Sequence, residues 1–228
     1  MSAAVRTIHL PGHEPCANLV IEEQLFAEVR SKPTPACLFY VNEPCIVLGR
    51  SNVPEDWVNL EAAWADGLPI LRRFSGGGAV YHDLSNLNFS LLMPKTLLDG
   101  PGAASTGSGL SRYVDLLRGV VLRALSRGMA GFEARGVSDI VLNGRKVSGS
   151  AQRIAASAVL HHGTVMLKCP HEAIERYLKV PPNRPGVPHR GFVTGLAEEG
   201  WPHAEEALML WLAEEFEAAV ADLARQAV

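Results

Sequence analysis

Apolar and polar residues follow two rhythms along this chain, one near helical spacing and one of strict alternation, and the changes between them mark its elements. Residues 16–30, CANLVIEEQLFAEVR, set Leu19, Ile21, Leu25, Phe26 and Val29 on a rough stripe and predict an amphipathic helix, which SKPTPA ends. The short runs CLFYV and CIVLG, parted by the turn NEP, read as strands. PEDWVNLEAAWADG opens on Pro54, carries acids early and closes on glycine, so it predicts one helix over 54–67. LPILRRF predicts a strand running into a glycine run, and AVYHD and LNFSLLM predict two more. Residues 94–109, PKTLLDGPGAASTGSG, predict a surface loop. LSRYVDLLRGVVLRALSRG is the clearest amphipathic helix. Asn143-Gly144 between the alternating runs of SDIVLNGRKVSGSAQR predicts a hairpin. VLHHGTVML predicts a strand and HEAIERYL a short helix. A proline-rich loop over 181–188 and a last helix from about Ala204 to Arg225 complete the chain. Strands come in meandering groups with helices between the groups, which predicts an α+β fold on a mixed sheet rather than a doubly wound parallel one. No internal repeat and no long linker divides residues 1–228.

Composition narrows the picture. A chain of 228 residues can bury a substantial core without disulfides or metal. Its net charge of −3, with scattered basic residues, gives no footprint for nucleic acid. Cys16, Cys37, Cys45 and Cys169 lack the paired spacing of a zinc site. The opening MSAAVRTIHLPGHEP has no apolar core or cleavage pattern, and no apolar run approaches the roughly 20 residues needed to cross a bilayer. A cytoplasmic protein without a membrane partner is expected.

Candidate chemistry centres on LRRFSGGGAVYHD, residues 71–83. Three consecutive glycines cost backbone entropy and suit either a tight bend or the close approach of a ligand. Arg72 and Arg73 precede them, and arginine's planar fork matches phosphate. His82 and Asp83 follow. The spacing is neither that of a P-loop nor the GxGxxG of a dinucleotide site. On the hairpin's returning strand, alternation puts Lys146, Ser148, Ser150 and Gln152 on one face and Val147, Gly149, Ala151 and Arg153 on the other. A polar face of this kind suits a solvated sheet. The small neighbours of Lys146 also leave room for a ligand, and a fixed ammonium suits a carboxylate or a developing oxyanion. His161 and His162 point to opposite faces and do not chelate one metal. Glu22 and Glu23 diverge by about 100° on a helix and form no catalytic dyad. There is no GxSxG elbow. Cys169, in LKCPHE, reads as a buried incidental thiol or as a thioester-forming nucleophile.

Four stretches, NLVIEE, RRFSGGGAVYHDLSNLNFS, SDIVLNGRKVSGSAQR and HHGTVML, cover about residues 18–168. In these, and in their order, the chain resembles the lipoate–protein ligase family. The catalytic domain of that family is similar to those of biotin protein ligases and class II aminoacyl-tRNA synthetases. The resemblance implies a mixed sheet flanked by helices and a single catalytic domain over 1–228. It implies ATP and lipoate as substrates with Mg2+, a lipoyl-AMP intermediate, and transfer of the lipoyl group to a lysine of an acceptor lipoyl domain. Carried over, Gly76, Gly77, Gly78, Ala79, Val80 and Tyr81 line the adenylate site and Arg73 meets phosphate. Lys146 binds the lipoate carboxyl region and stabilises charge in both half-reactions. Asp139 lies near the adenylate or holds Mg2+. Ser75, His82 and His162 shape the lipoate pocket, and Leu19, Ile21 and Glu22 border the lipoyl tunnel. Many ligases of the family carry a C-terminal domain that has no counterpart here, so a separate accessory subunit is a further expected partner. Two alternatives stand beside this reading: a cysteine-dependent octanoyl or lipoyl transferase, and a non-catalytic lipoate- or nucleotide-binding subunit of a two-part ligase. The transferases most similar in motif carry a cysteine shortly before SDIV, where this chain reads GFEARGV, which favours the ligase.

Overall fold

Two sheets and their covering helices build the protein. A computed structural model describes residues 4–99, 109–180 and 186–226. The first strands are β1 (Arg6–His9), β2 (Ala36–Tyr40), β3 (Cys45–Leu48), β4 (Ile70–Arg72) and β5 (Val80–His82). They are followed by β6 (Asn86–Pro94), β7 (Phe132–Arg135), β8 (Asp139–Leu142), β9 (Arg145–Ile154) and β10 (Ala158–Met166). Seven of them form one sheet in the order β1-β2-β6-β10-β9-β8-β7, and β4-β3-β5 form a small one. The β1–β2 and β3–β4 pairs are parallel and the remaining ladders antiparallel, so the sheet is mixed, as the grouping of strands predicts.

The helices are α1 (Pro15–Ser31), α2 (Pro54–Trp57), α3 (Leu60–Ala65), α4 (Lys95–Leu98), α5 (Gly109–Gly128), α6 (His171–Tyr177) and α7 (Glu205–Gln226). Helix α5 turns Leu117, Val121, Ala124 and Leu125 onto one face of the large sheet, and α7 adds Leu208, Leu212, Phe216 and Val220 to the same core. This is the i, i+4 spacing that buries one stripe of a helix. Helix α1 covers the opposite face through Leu25, Phe26 and Val29. Its start is fixed by Glu14, whose carboxylate accepts the N–H groups of Cys16 and Ala17, with Pro15 in the first turn.

Several elements depart from the sequence pattern. The helix expected over 54–67 breaks at Val58, which is extended, buried and bridged to Leu178, and Asn59 then caps α3. The expected loop 94–109 begins as the single turn α4, because Leu98 reaches the core; residues 100–108 lie outside the described residues, as do 181–185 of the proline-rich loop. Strands β1 and β7 are edge strands that expose most of their side chains and therefore carry little apolar signal. On α1 the buried positions are 15, 18, 22, 25, 26 and 29, so two polar residues, Asn18 and Glu22, lie on the inner stripe, and Ile21 is exposed.

Candidate active site

A cavity of about 280 Å3 opens where the small sheet meets the α1 face of the large one. Its walls come from Val47, Val80 and His82 on the small sheet, and from Asn88, His162, Thr164, Gly149 and Ala151 on the large one. Leu19 of α1 and residues 77–79 of the glycine loop complete them.

The glycine loop is held by arginine. Alternation on β4 sends Arg72 and Arg73 to opposite sides. Arg72 donates through Nη1 to the carbonyls of Gly49 (2.8 Å), Arg50 (3.0 Å) and Asn52 (2.9 Å). Arg73, buried, donates through Nη2 to the carbonyls of Gly76 (2.7 Å) and Gly78 (2.8 Å), through Nη1 to Val47 (3.3 Å), and through Nε to Ser75 Oγ (3.1 Å). Arg73, expected on phosphate, thus braces the loop that would cradle it, though it also lines the cavity. Close packing explains the glycines. Gly77 has a φ of 93°, and a Cβ on Gly49 would overlap the Gly77 carbonyl.

Behind the cavity wall lies a buried chain of hydrogen bonds. Glu22, fully buried, accepts from His162 Nδ1 (2.9 and 3.0 Å to its two oxygens), from Ser90 Oγ (2.5 Å) and from the Tyr40 hydroxyl (3.5 Å). Ser75 Oγ, which accepts from Arg73, also hydrogen-bonds His162 Nε2 at 2.6 Å. Burial opposes ionisation of Glu22, but the charge and hydrogen bond of His162, the Ser90 hydroxyl and the Arg73 charge outweigh it and hold the carboxyl below its usual range. Glu22 and Ser75 therefore act behind His162, which lines the cavity. Ile21 and Gly76 stand outside the lining, and Tyr81 faces the other side of β5, stacked on Tyr177 at 5.7 Å.

His82 sits in a second chain. Asn18 Nδ2 donates to Asn42 Oδ1 (2.9 Å), Asn42 Nδ2 to His82 Nδ1 (3.0 Å), His82 Nε2 to Thr164 Oγ1 (3.0 Å), and Thr164 to Asn88 Oδ1 (2.8 Å). Burial, helped by the Arg73 charge, pulls the His82 pKa down to about 3, and burial with the neighbouring His162 does the same for His161. Both imidazoles are neutral when folded and take up a proton on unfolding below pH 6.5. Their contribution is thus fully present above pH 6.5 and is lost as pH falls toward 3. Stability should drop by about 1.4 kcal/mol per pH unit for each histidine well inside that window. Denaturant midpoints measured at pH 7 and pH 5 check this; equal midpoints would refute it.

Lys146 owes its direction to a β-bulge. Val141 pairs with Lys146 and Ile140 with Ser148, so Val147 is one residue too many. Val147 joins the α5 side of the core with Ile140, and the parity of the strand changes there. Lys146 consequently shares a face with Gly149 and Ala151, not with Ser148 and Ser150 as strict alternation predicts; a Cβ on Gly149 would stand 2.5 Å from Lys146 Nζ. The ammonium is 2.7 Å from Asp139 Oδ1. The backbone of Lys146 also holds the segment after the proline-rich loop: its N–H donates to the Phe192 carbonyl (2.8 Å), and its carbonyl accepts from Thr194 (2.9 Å).

Among the described residues no group of three or more His, Cys, Asp or Glu is placed to hold a metal ion, and Asp139 is the one carboxylate of the lining. Cys169 lies outside the lining, packed with Ile174 and Val193, and burial with the nearby carboxylates Glu198 and Asp83 pushes its thiol up to about 12. Sequence reasoning did not single out Tyr40, Trp57, Asn88, Thr164 or Phe192, all of which line the cavity. No helix among the described residues is long and apolar enough to cross a membrane.

The frame is an α+β domain in which a braced glycine loop faces a sheet-borne lysine, and comparison with known proteins gives its family. The model of the lipoyl protein ligase A/B catalytic domain matches residues 14–216, and the chain belongs to that family. A putative lipoate-protein ligase A of Aeropyrum pernix is 35% identical over 166 residues, 72% of this chain and 58% of that protein. A mitochondrial lipoyl amidotransferase of Mus musculus is 30% identical over 167 residues, 72% of this chain and 41% of that protein. The chain spans about half the length of these relatives. Among solved structures, a bipartite lipoate protein ligase of Thermoplasma acidophilum, studied with its E2 lipoyl domain, superposes with a TM-score of 0.77 at 20% identity, covering 97% of this chain and 90% of that one. A lipoate-protein ligase A bound with ATP gives 0.77 at 22% identity, covering 99% and 94%.

Proposed function

We propose that the chain is the catalytic domain of an ATP-dependent lipoate–protein ligase. It joins the carboxylate of lipoate to the α-phosphate of ATP with release of diphosphate, then passes the lipoyl group to a lysine amine of an acceptor lipoyl domain, freeing AMP. The observation that carries this reading is Lys146, turned by the bulge into the same cavity as residues 77–79 of the glycine loop. A fixed ammonium there lowers the repulsion between carboxylate and phosphate and stabilises charge in both transition states. The backbone N–H groups of the loop supply further donors to phosphate, with Arg73 keeping them in place. Mg2+ fits this lining in the manner usual for nucleotide sites, held by one protein carboxylate, Asp139, together with substrate phosphates. Bound there, it would neutralise phosphate charge. Two structurally similar ligases, one bound with ATP and one bipartite and studied with its E2 lipoyl domain, support ATP as substrate, the acceptor and an accessory subunit. The compartment expected for this activity is the cytoplasm.

Neither half-reaction needs an enzyme nucleophile, and the raised pKa of Cys169 keeps that thiol protonated. Incubation with ATP, lipoate and a panel of lipoyl domains, read by intact mass, should show lipoyl transfer that depends on ATP and survives Cys169→Ala. Transfer from an acyl-carrier thioester without ATP, abolished by Cys169→Ala, would establish the transferase instead.

A further inference from the structure

Trp57 closes α2 and lines the cavity. Its position is fixed from behind: its carbonyl accepts the N–H of Lys179 at 2.9 Å, and the next residue, Val58, is bridged to Leu178. One part of the indole packs against the apolar cluster of Ile46, Leu48 and Ala63. Another part meets the glycine loop, where a Cβ on Gly78 would stand 2.6 Å from Cζ3. Among the described residues the indole makes no hydrogen bond and no ring–ring or cation–ring contact. The other tryptophans differ: Trp201 and Trp211 contact each other and His203, and Trp64 is exposed on the surface. Among the described residues, Trp57 is thus an unstacked aromatic held against the glycine loop.

We infer that Trp57 is the platform for the planar base of the nucleotide, an inference that rests on the ATP-dependent reading above. With phosphate between the glycine loop and Lys146, a nucleotide base has to leave that point along one wall. Residues 88, 164, 149 and 139 lie in register across β6, β10, β9 and β8, which gives an extended acyl chain a path over the sheet. Tyr40, the aromatic at the β2 end of that path, already directs its hydroxyl to Glu22. Trp57 stands instead on the small-sheet side, next to Gly78, which itself carries no side chain. An indole gives a base a large apolar face at little cost in side-chain order, and stacking of this kind tolerates different bases.

The test separates a stacking platform from a plain apolar wall. Calorimetric titrations of wild type, Trp57→Leu and Trp57→Phe use ATP, tripolyphosphate and lipoate as probes. Trp57→Leu should raise the Kd for ATP roughly ten- to a hundredfold, while binding of baseless tripolyphosphate and of lipoate stays within about twofold. Trp57→Phe should restore most of the ATP affinity. ATP, but not tripolyphosphate, should quench tryptophan fluorescence in the wild type, and the quench should vanish in Trp57→Phe. This readout remains decisive if the leucine variant does not fold. Unchanged ATP affinity in Trp57→Leu, loss of lipoate rather than ATP binding, or a quench that persists in Trp57→Phe each overturns the inference. If the wild type adenylates lipoate while Trp57→Leu keeps its ATP affinity, this inference alone fails. A wild type that binds no ATP removes the ligase reading and this inference together.

Discussion

Lys146→Ala should remain folded and lose most of its adenylation. Lys146 is part-exposed, its Asp139 partner lies near the surface, and ion pairs of this kind contribute about 1 kcal/mol or less. In a chain of this size that shifts Tm by about 2–4 °C. The catalytic effect is of another order. Removing one preorganised donor from developing charge costs roughly 3 kcal/mol, about a hundredfold in rate. Diphosphate release measured beside thermal unfolding separates the two. A variant with near-normal turnover would take Lys146 out of the mechanism; a collapse of Tm would make it a structural residue.

Glu22→Ala should show the opposite signature, a large loss of stability at a position outside the cavity lining. Its carboxylate is fully buried and accepts from His162, Ser90 and Tyr40. Removing it leaves those donors unmatched among apolar neighbours, and breaking a buried charged pair costs about 3–5 kcal/mol. The expected fall in Tm is on the order of 10 °C. The effect has a sign in pH. The carboxyl of Glu22 is held below the ordinary carboxylate range, so its stabilisation is complete above that range and disappears as pH falls through the folded pKa. The gap between wild type and Glu22→Ala should therefore be widest near neutral pH and shrink progressively as pH falls below the ordinary carboxylate range. A Tm within about 2 °C of wild type at pH 7 would mean that the chain from Glu22 to Arg73 is not a support of the fold.

Chemistry was legible in the sequence where residue type and local spacing carried it. Of the residues these patterns single out, Arg73, Gly77, Gly78, Lys146 and His162 meet around one cavity, while Arg72 and His161 do not line it. Direction was less legible. The face taken by Lys146 depends on how β8 pairs with β9, and no alternation within β9 alone reveals the extra residue. The role of Glu22 depends on a histidine 140 positions away, so on α1 it reads as an ordinary exposed acid. Arg73 resembles a phosphate ligand until the carbonyls of Gly76 and Gly78 are seen to occupy its donors. Trp57, Asn88 and Thr164 are common residue types in an ordinary helix turn and two strands, and only the meeting of the two sheets brings them together. Edge strands β1 and β7 escaped notice for the reason edge strands usually do: they bury too little to show a pattern.

The bulge at Val147 also makes the site sensitive to how two strands pair rather than to which residues they carry. Between Lys146 and Gly149 the chain holds Val147 and Ser148, one more position than an unbroken strand would use to bring two side chains to the same side. Were the same residues paired without the bulge, the hairpin would keep its lysine, its glycines and its turn. Its ammonium would then be carried under the sheet, into the apolar layer beneath α5 and α7, where neither water nor Asp139 could meet it.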